Sequence, residues 1–298
     1  MSESRFRADV ALGAAALLFA LAAGTACRRA APAAPPMATA IVKLNHDKAP
    51  LGSPLDITYR FEVAADARFD QDYVAFVHVL DADNELMWND DHVPPIPSSQ
   101  WKPGQVIEYT RTIFVPIYPY VGEATIQLGL YSTATQKRIP LAGEDSGQRG
   151  YKVGRLTLQP QTENIFASFE SGWNTPEVAD RNAMVQWQWT KKDASMKFRN
   201  PKKDGVFYLE VDQPEAAFPG PQQVMVTLGK ETLDTFALPA RQKILKRIPM
   251  TAAQLGTADL AELHIIVDKT FTPSARDPKS PDTRELGIRV YHAFVDAR

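Results

Sequence analysis

Beyond its first forty residues the chain alternates. Ile57, Tyr59, Phe61 and Val63 fall on one side of an extended backbone while Thr58, Arg60 and Glu62 fall on the other. That period of two is the pattern of a half-buried strand. Ala124, Ile126, Leu128 and Leu130 repeat it against Thr125, Gln127 and Gly129, and 73–81 and 106–115 read as two more strands. Turn signals separate these runs: Leu51-Gly52-Ser53-Pro54, Asp83-Asn84, Pro94-Pro95 and Pro103-Gly104. Short strands with one polar face and regular turns predict an antiparallel sandwich.

A strand-like end at 155–158 runs into the polar stretch Gln159-Pro160-Gln161-Thr162-Glu163-Asn164, and then the pattern restarts. Val185, Trp187 and Trp189 point one way with Gln186, Gln188 and Thr190 opposite. Further runs follow: Ala194, Met196 and Phe198; Phe207, Leu209 and Val211; Val224, Val226 and Leu228. Gly229-Lys230 turns the last of these into 232–238. Leu263, Ile265 and Val267, then Leu286, Ile288, Val290, His292 and Phe294, supply the closing strands. One short helical turn fits 251–255. No helical period extends over 11 residues, so the expectation is two all-β modules in series.

Composition sharpens this. The 298-residue length suits about two domains, and 23 Pro against 16 Gly favours turns and short strands over long helices. A formal net charge of −2 supplies no long-range field to attract nucleic acid. Hydrophobic residues at 44% leave ample material for a core.

The N-terminus reads as a targeting segment. Arg5 and Arg7 precede an uncharged apolar run, 10–23, and small residues then lead to Cys27, the single cysteine. Residues 21–27 resemble the lipobox of bacterial lipoproteins, with Gly24 where that motif usually carries Leu. Two other readings compete: cleavage at an A-x-A-like site without lipidation, and an uncleaved anchor helix, for which about 17 apolar residues is short. The lipoprotein is the expectation. It makes Cys27 the lipid anchor, and it leaves the mature chain no thiol for a disulfide or for thiol catalysis. The Pro/Ala stretch 28–38 would then be a semi-rigid tether holding the folded part off the membrane.

Catalytic motifs are missing. The chain contains no G-x-S-x-G elbow, no H-E-x-x-H, no phosphate loop and no dinucleotide fingerprint. Neither catalysis nor a cofactor is therefore expected. The densest polar cluster runs from His78 through Asp81 to His92. One reading brings His78, Asp81 and His92 together on a metal; the other is a hairpin whose polar ends face water, turned at Asp83-Asn84. The second is favoured because Asp and Asn suit such turns, and the acid spacing fails that of a calcium loop.

Five Trp are the remaining candidates, since sugar rings stack on exposed aromatic faces. Trp187 and Trp189 sit inside an apolar alternation and are expected in the core. Trp88, Trp101 and Trp173 adjoin turns, where a ring offers a platform or caps a sandwich end. Arg284 stands between a Pro-rich loop and the last strand, placed to clamp a carboxylate or a pair of hydroxyls; an internal ion pair, with Asp268 as a partner, is the competing reading. Trp173 with Arg284, then Trp101 and Trp88, are the ligand candidates. His264 and His292 are expected to be structural.

Two groups of motifs carry a resemblance. Phe76-Val77-His78-Val79-Leu80-Asp81-Ala82-Asp83, the 97–104 stretch with Trp101-Lys102-Pro103-Gly104, and Leu128-Gly129-Leu130-Tyr131-Ser132 followed by 138–141 form the first. Gly172-Trp173 with Glu177, Trp187-Gln188-Trp189-Thr190, 267–271 with Pro273, and 282–290 form the second. Together they resemble extracytoplasmic modules found at the C-termini of bacterial membrane glycosyltransferases and in exported proteins. The resemblance implies an immunoglobulin-like β-sandwich over 39–159 and a jelly-roll or carbohydrate-binding-module-like β-sandwich over 160–298, following the 1–27 leader. It carries no catalytic residue. The functional expectation is a non-enzymatic cell-envelope lipoprotein, held to the membrane by its lipid, that binds polysaccharide; the alternative is a scaffold contacting an envelope protein.

Overall fold

The computed structural model describes residues 34–297 apart from 181 and 214–217; the leader and Cys27 lie outside the described residues. Eight strands build the first sandwich: β1 (Ala38–Leu44), β2 (Lys48–Pro50), β3 (Pro54–Val63), β4 (Val74–Leu80), β5 (Leu86–Asn89), β6 (Val106–Phe114), β7 (Gly122–Tyr131) and β8 (Tyr151–Gln159). They form a three-stranded sheet, β1-β3-β6, and a five-stranded sheet, β2-β8-β7-β4-β5. All pairings are antiparallel except β2 with β8. A short first-edge strand lying parallel to the last strand is an immunoglobulin-like arrangement. The expected faces are the observed ones: Ile57, Tyr59, Phe61 and Val63 are buried against Ile126, Leu128 and Leu130 of the facing sheet in one core.

The turns follow their residue chemistry. Asn84 takes the left-handed conformation at φ 62°, and Asp81 Oδ1 accepts from the backbone N–H groups of Asp83 and Glu85. Gly104 supplies φ 74° after Pro103.

Ten strands build the second sandwich: β9 (Ala167–Phe169), β10 (Glu177–Ala179), β11 (Asn182–Trp189), β12 (Asp193–Arg199), β13 (Gly205–Asp212), β14 (Gln222–Leu228), β15 (Glu231–Leu238), β16 (Ile244–Met250), β17 (Leu260–Val267) and β18 (Arg289–Ala297). Two five-stranded sheets, β10-β11-β18-β13-β16 and β15-β14-β17-β12-β9, face each other in jelly-roll fashion over a second core. Phe207, Leu209, Val211, Val290 and Val295 meet Met196, Phe198, Val224, Leu263 and Ile265 there. The helical turn is α1 (Ala252–Leu255), closed by a reciprocal Thr251/Gln254 capping box.

Strands β1 and β16 escape the alternation reading. Strand β16 (ILKRIPM) carries a proline, and it lies at the sheet edge where a missing N–H breaks no ladder. The last strand begins at Arg289 rather than at Leu286, because Leu286 is spent on a bridge to Phe271.

The two sandwiches touch. The Phe114 ring stacks on His292 at 3.9 Å with planes 1° apart, and meets Tyr208 edge-on. Arg247 donates to Asp56 at 2.6 Å and to Thr112, and Asn164 donates to the Leu51 carbonyl at 2.7 Å.

Candidate functional site

The register of β18 decides which side chains share a surface. Val290, a core residue, lies opposite both Val211 and Gln188; Arg289 lies opposite both Asp212 and Trp189. Residues directly opposite across a ladder point the same way. Trp187 and Trp189 therefore stand with Arg289 and Asp212 on the sheet face opposite the second core; Trp189 is buried there as expected, whereas Trp187 is only partly buried, and the expectation that it packs in the core is corrected. Alternation establishes only that the two rings share a face. The core side of β11 takes Gln188 instead, which donates to the Asn174 carbonyl at 3.1 Å.

The outer face is an interlocked array. Arg289 donates from Nε and Nη2 to the two oxygens of Asp212 at 2.7 and 2.6 Å. Its guanidinium lies 5.3 Å from the Trp187 ring, 5.9 Å from Trp189 and 5.7 Å from Tyr291. Tyr291 donates to Asp212 at 2.9 Å and its ring meets Trp187 at 6.1 Å. Lys243 sits 4.7 Å over the Tyr291 ring and pairs with Glu210.

Burial opposes the Arg289 charge, yet its bonds to Asp212 outweigh that and hold the guanidinium above its ordinary range. Burial, with Asp212 beside it, lifts the Tyr291 hydroxyl well above its usual value, so it acts as a neutral donor. Trp189 is covered by the Phe271 ring, edge-on at 5.9 Å, whereas Trp187 remains partly open beside the half-exposed Val185.

Arg284 joins this array. Glu177 lies opposite Trp187 across the β10–β11 ladder and accepts from Arg284 Nη1 at 2.6 Å. Asp282 accepts from Nε at 2.9 Å and from Nη2 at 2.7 Å. These bonds to Asp282, with Glu177 assisting, hold the Arg284 charge far above its ordinary range, and Arg284 in turn keeps the Asp282 carboxyl below its own. The ion pair is therefore with Asp282 and Glu177. Asp268 instead accepts from the Gln223 N–H and pairs with Lys269.

Four separated segments are tied together beneath the face. Lys191 N–H donates to the Gly172 carbonyl, Gly287 N–H to the Thr190 carbonyl, Thr190 N–H to the Ile288 carbonyl, and Phe271 N–H to the Leu286 carbonyl.

The other candidates go elsewhere. The Trp173 indole N–H donates to the Ser195 carbonyl at 2.8 Å, and its half-buried ring packs on the second core and on Phe169 at 4.6 Å. No hydrogen bond or ring contact joins it to Arg284 among the described residues. Trp101 is 4% exposed, wedged against Phe61 and Phe69, and donates to the Ile96 carbonyl at 2.8 Å. Trp88 is 9% exposed in the first core and its Nε1 has no partner. Both rings are spent on the first core, so neither offers a face to a ligand.

His78, Asp81 and His92 do not converge. Asp81 organises the Asn84 turn; His78 lies 4.0 Å from Asp91 and beside the Phe76 ring at 5.1 Å. His92 bonds the Asp90 carbonyl and the Tyr109 hydroxyl, and burial holds its pKa below the ordinary histidine value. No group of three metal-ligating side chains occurs among the described residues.

Arg289, Tyr291 and Asp212 are the residues that sequence reasoning passed over. The available signal was their place opposite Ile288, Val290 and Val211 in alternating strands; the cross-strand register that unites them was not legible.

No protein-family model matches the chain, and no curated protein sequence matches it. Solved structures similar to it include a Bacteroides uniformis β-glucuronidase at 9% identity and TM-score 0.28, over 84% of this chain and 28% of that one. A two-domain segment of Clostridium perfringens ZmpB, with CBM51-2 bound to GlcNAc, is similar at 9% identity and TM-score 0.25, over 86% of this chain and 40% of that one. The tandem CBM22 domains of Paenibacillus barcinonensis Xyn10C are similar at 8% identity and TM-score 0.25, over 87% and 91%. The chain thus spans less than a third of the glucuronidase. The chain is all-β, built of sandwich-like domains.

Proposed function

We propose that this protein is a non-enzymatic glycan-binding accessory protein of the cell envelope, anchored through a lipid on Cys27. One observation carries the binding reading: Trp187 and Tyr291 on the outer face, with Arg289, Asp212, Glu177 and Arg284 locked around them. A pyranose needs an apolar platform for its C–H face and fixed polar groups for its hydroxyls. Rings on adjacent strands of a rigid sheet supply the first, and charges held by two or three hydrogen bonds supply the second without reordering on binding.

The test is binding of a polysaccharide panel to the full-length protein and to Trp187→Ala. Loss of the platform should weaken affinity by about 1–3 kcal/mol, the range for stacking on an aromatic side chain, while the variant stays folded. A folded Trp187→Ala that binds as well as the parent would remove this face from the reading.

The second reading is a scaffold, favoured by the β9 edge strand: Phe166 beside it is 70% exposed and Phe169 within it 47%. An open edge with apolar side chains invites strand addition by a protein partner.

A further inference from the structure

The charge pairing around Trp187 and Tyr291 also says which glycans fit. Arg284 spends Nε and Nη2 on Asp282 and Nη1 on Glu177. Arg289 spends Nε and Nη2 on Asp212, and Lys243 is committed to Glu210, which also accepts from His292 Nδ1 at 2.8 Å. Three cations therefore face four carboxylates, Glu177, Asp212, Glu210 and Asp282. Arg276, a fourth cation nearby, stacks over Phe218 and Phe271 rather than over Trp187 or Tyr291.

We propose that this face selects neutral, polyhydroxylated glycans and turns away polyanionic ones such as polyuronates; the inference rests on the glycan-binding reading. A polyanion's carboxylate finds only the donors that this pairing leaves over, Arg289 Nη1 among them, unless it displaces an intramolecular carboxylate from a bidentate guanidinium, and bidentate charge-assisted pairs are among the strongest hydrogen bonds a surface makes. It would also bring like charge against carboxylates that the displacement leaves uncompensated. A neutral sugar has no need to displace a carboxylate from either guanidinium. Among the described residues Arg289 Nη1 and Glu177 Oε2 make no hydrogen bond, and the two residues flank Trp187, Glu177 opposite it in the ladder and the Arg289 guanidinium 5.3 Å from its ring.

Affinity gel electrophoresis of the full-length protein tests this with two sets of polymers. The neutral set is β-glucan, arabinoxylan, mannan and arabinan; the polyanionic set is polygalacturonate, alginate and hyaluronan. The expected result is retardation by at least one neutral polymer and by no polyanion. Affinity should change by less than about twofold between low and high salt, because no unscreened charge pair is made on binding. Retardation by a polyanion that salt abolishes, with or without a neutral ligand, overturns the selectivity and leaves glycan binding standing. No retardation by any polymer removes the glycan reading and this inference with it.

Glu177→Gln frees Arg284 Nη1 and should gain binding to polygalacturonate. Should that variant fail to fold, Glu210→Gln frees Lys243 and is expected to act in the same direction. A folded variant of either kind with the parent's preference counts against charge pairing as the cause.

Discussion

Two buried indoles of the first sandwich differ in one atom's fate. Trp101 places its N–H 2.8 Å from the Ile96 carbonyl, whereas the Trp88 N–H is buried with no partner. An unsatisfied buried donor costs its desolvation, about 1–3 kcal/mol, and a satisfied one returns part of that cost. Replacement by Phe removes both N–H groups but loses a bond only at Trp101. Trp101→Phe is expected to destabilise the protein by about 1 kcal/mol more than Trp88→Phe, read as the difference in chemical denaturation midpoints at constant m-value. Equal costs would mean that both rings act through volume alone. The same attention to single atoms separates Arg284 and Arg289 from ordinary surface arginines: each is fixed by bidentate bonds, and neither is free to sample other partners.

Elements here are held in place by close backbone approaches. Gly172, between β9 and β10, has φ 77°, and a Cβ built there would lie 1.8 Å from the Asp193 carbonyl oxygen. The approach lets the Gly172 carbonyl take the Lys191 N–H, and so positions β10 and Glu177 against β11. Gly104 has a similar φ of 74° with no atom within 4 Å of the added Cβ. Gly104→Ala should then cost about 1–2 kcal/mol, the left-handed backbone penalty alone. Gly172→Ala should cost more than about 3 kcal/mol, since backbone must move as well. A thermal denaturation series of the two variants checks the ordering, and a Gly172→Ala as mild as Gly104→Ala would contradict the close approach.

Across the molecule, the two cores are separate but the sandwiches share a contact built from Phe114 on His292, Phe114 on Tyr208, and Arg247 with Asp56 and Thr112. Residues Tyr208 and His292 belong to the same outer sheet face that carries Trp187 and Tyr291. The first sandwich thus covers one part of that face and leaves the aromatic part open. A flat stack and a charge-assisted bond across the contact should couple the two unfolding transitions. Calorimetry of the parent is expected to give one endotherm, and the double variant Phe114→Ala, Arg247→Ala to resolve two, with binding at Trp187 retained. Two transitions already present in the parent would show the contact to be energetically idle.

How much of this could be read from the residues depends on the range of the physics involved. Alternation, turn chemistry and capping are local, so strands such as β3, β7 and β14, the Asn84 and Gly229 turns and the Thr251 cap were legible in the chain, as was the all-β class. Strands β1 and β16 were not, because edge strands need no clean alternation and tolerate Pro249. The candidate site was legible only in part. The sequence points to Arg284, but its partners, Asp282 two residues away and Glu177 more than a hundred residues upstream, are brought together only by folding. Alternation puts Trp187 and Trp189 on one face, yet a period of two is blind to which face meets the core. That choice is made by pairing: β18 sets Val290 beside Gln188 and Arg289 beside Trp189. Its bulge at the Glu210/Val211 step leaves Tyr291 unpaired, with its hydroxyl on Asp212. Register and bulge depend on contacts between segments far apart in the chain, and no local pattern encodes them.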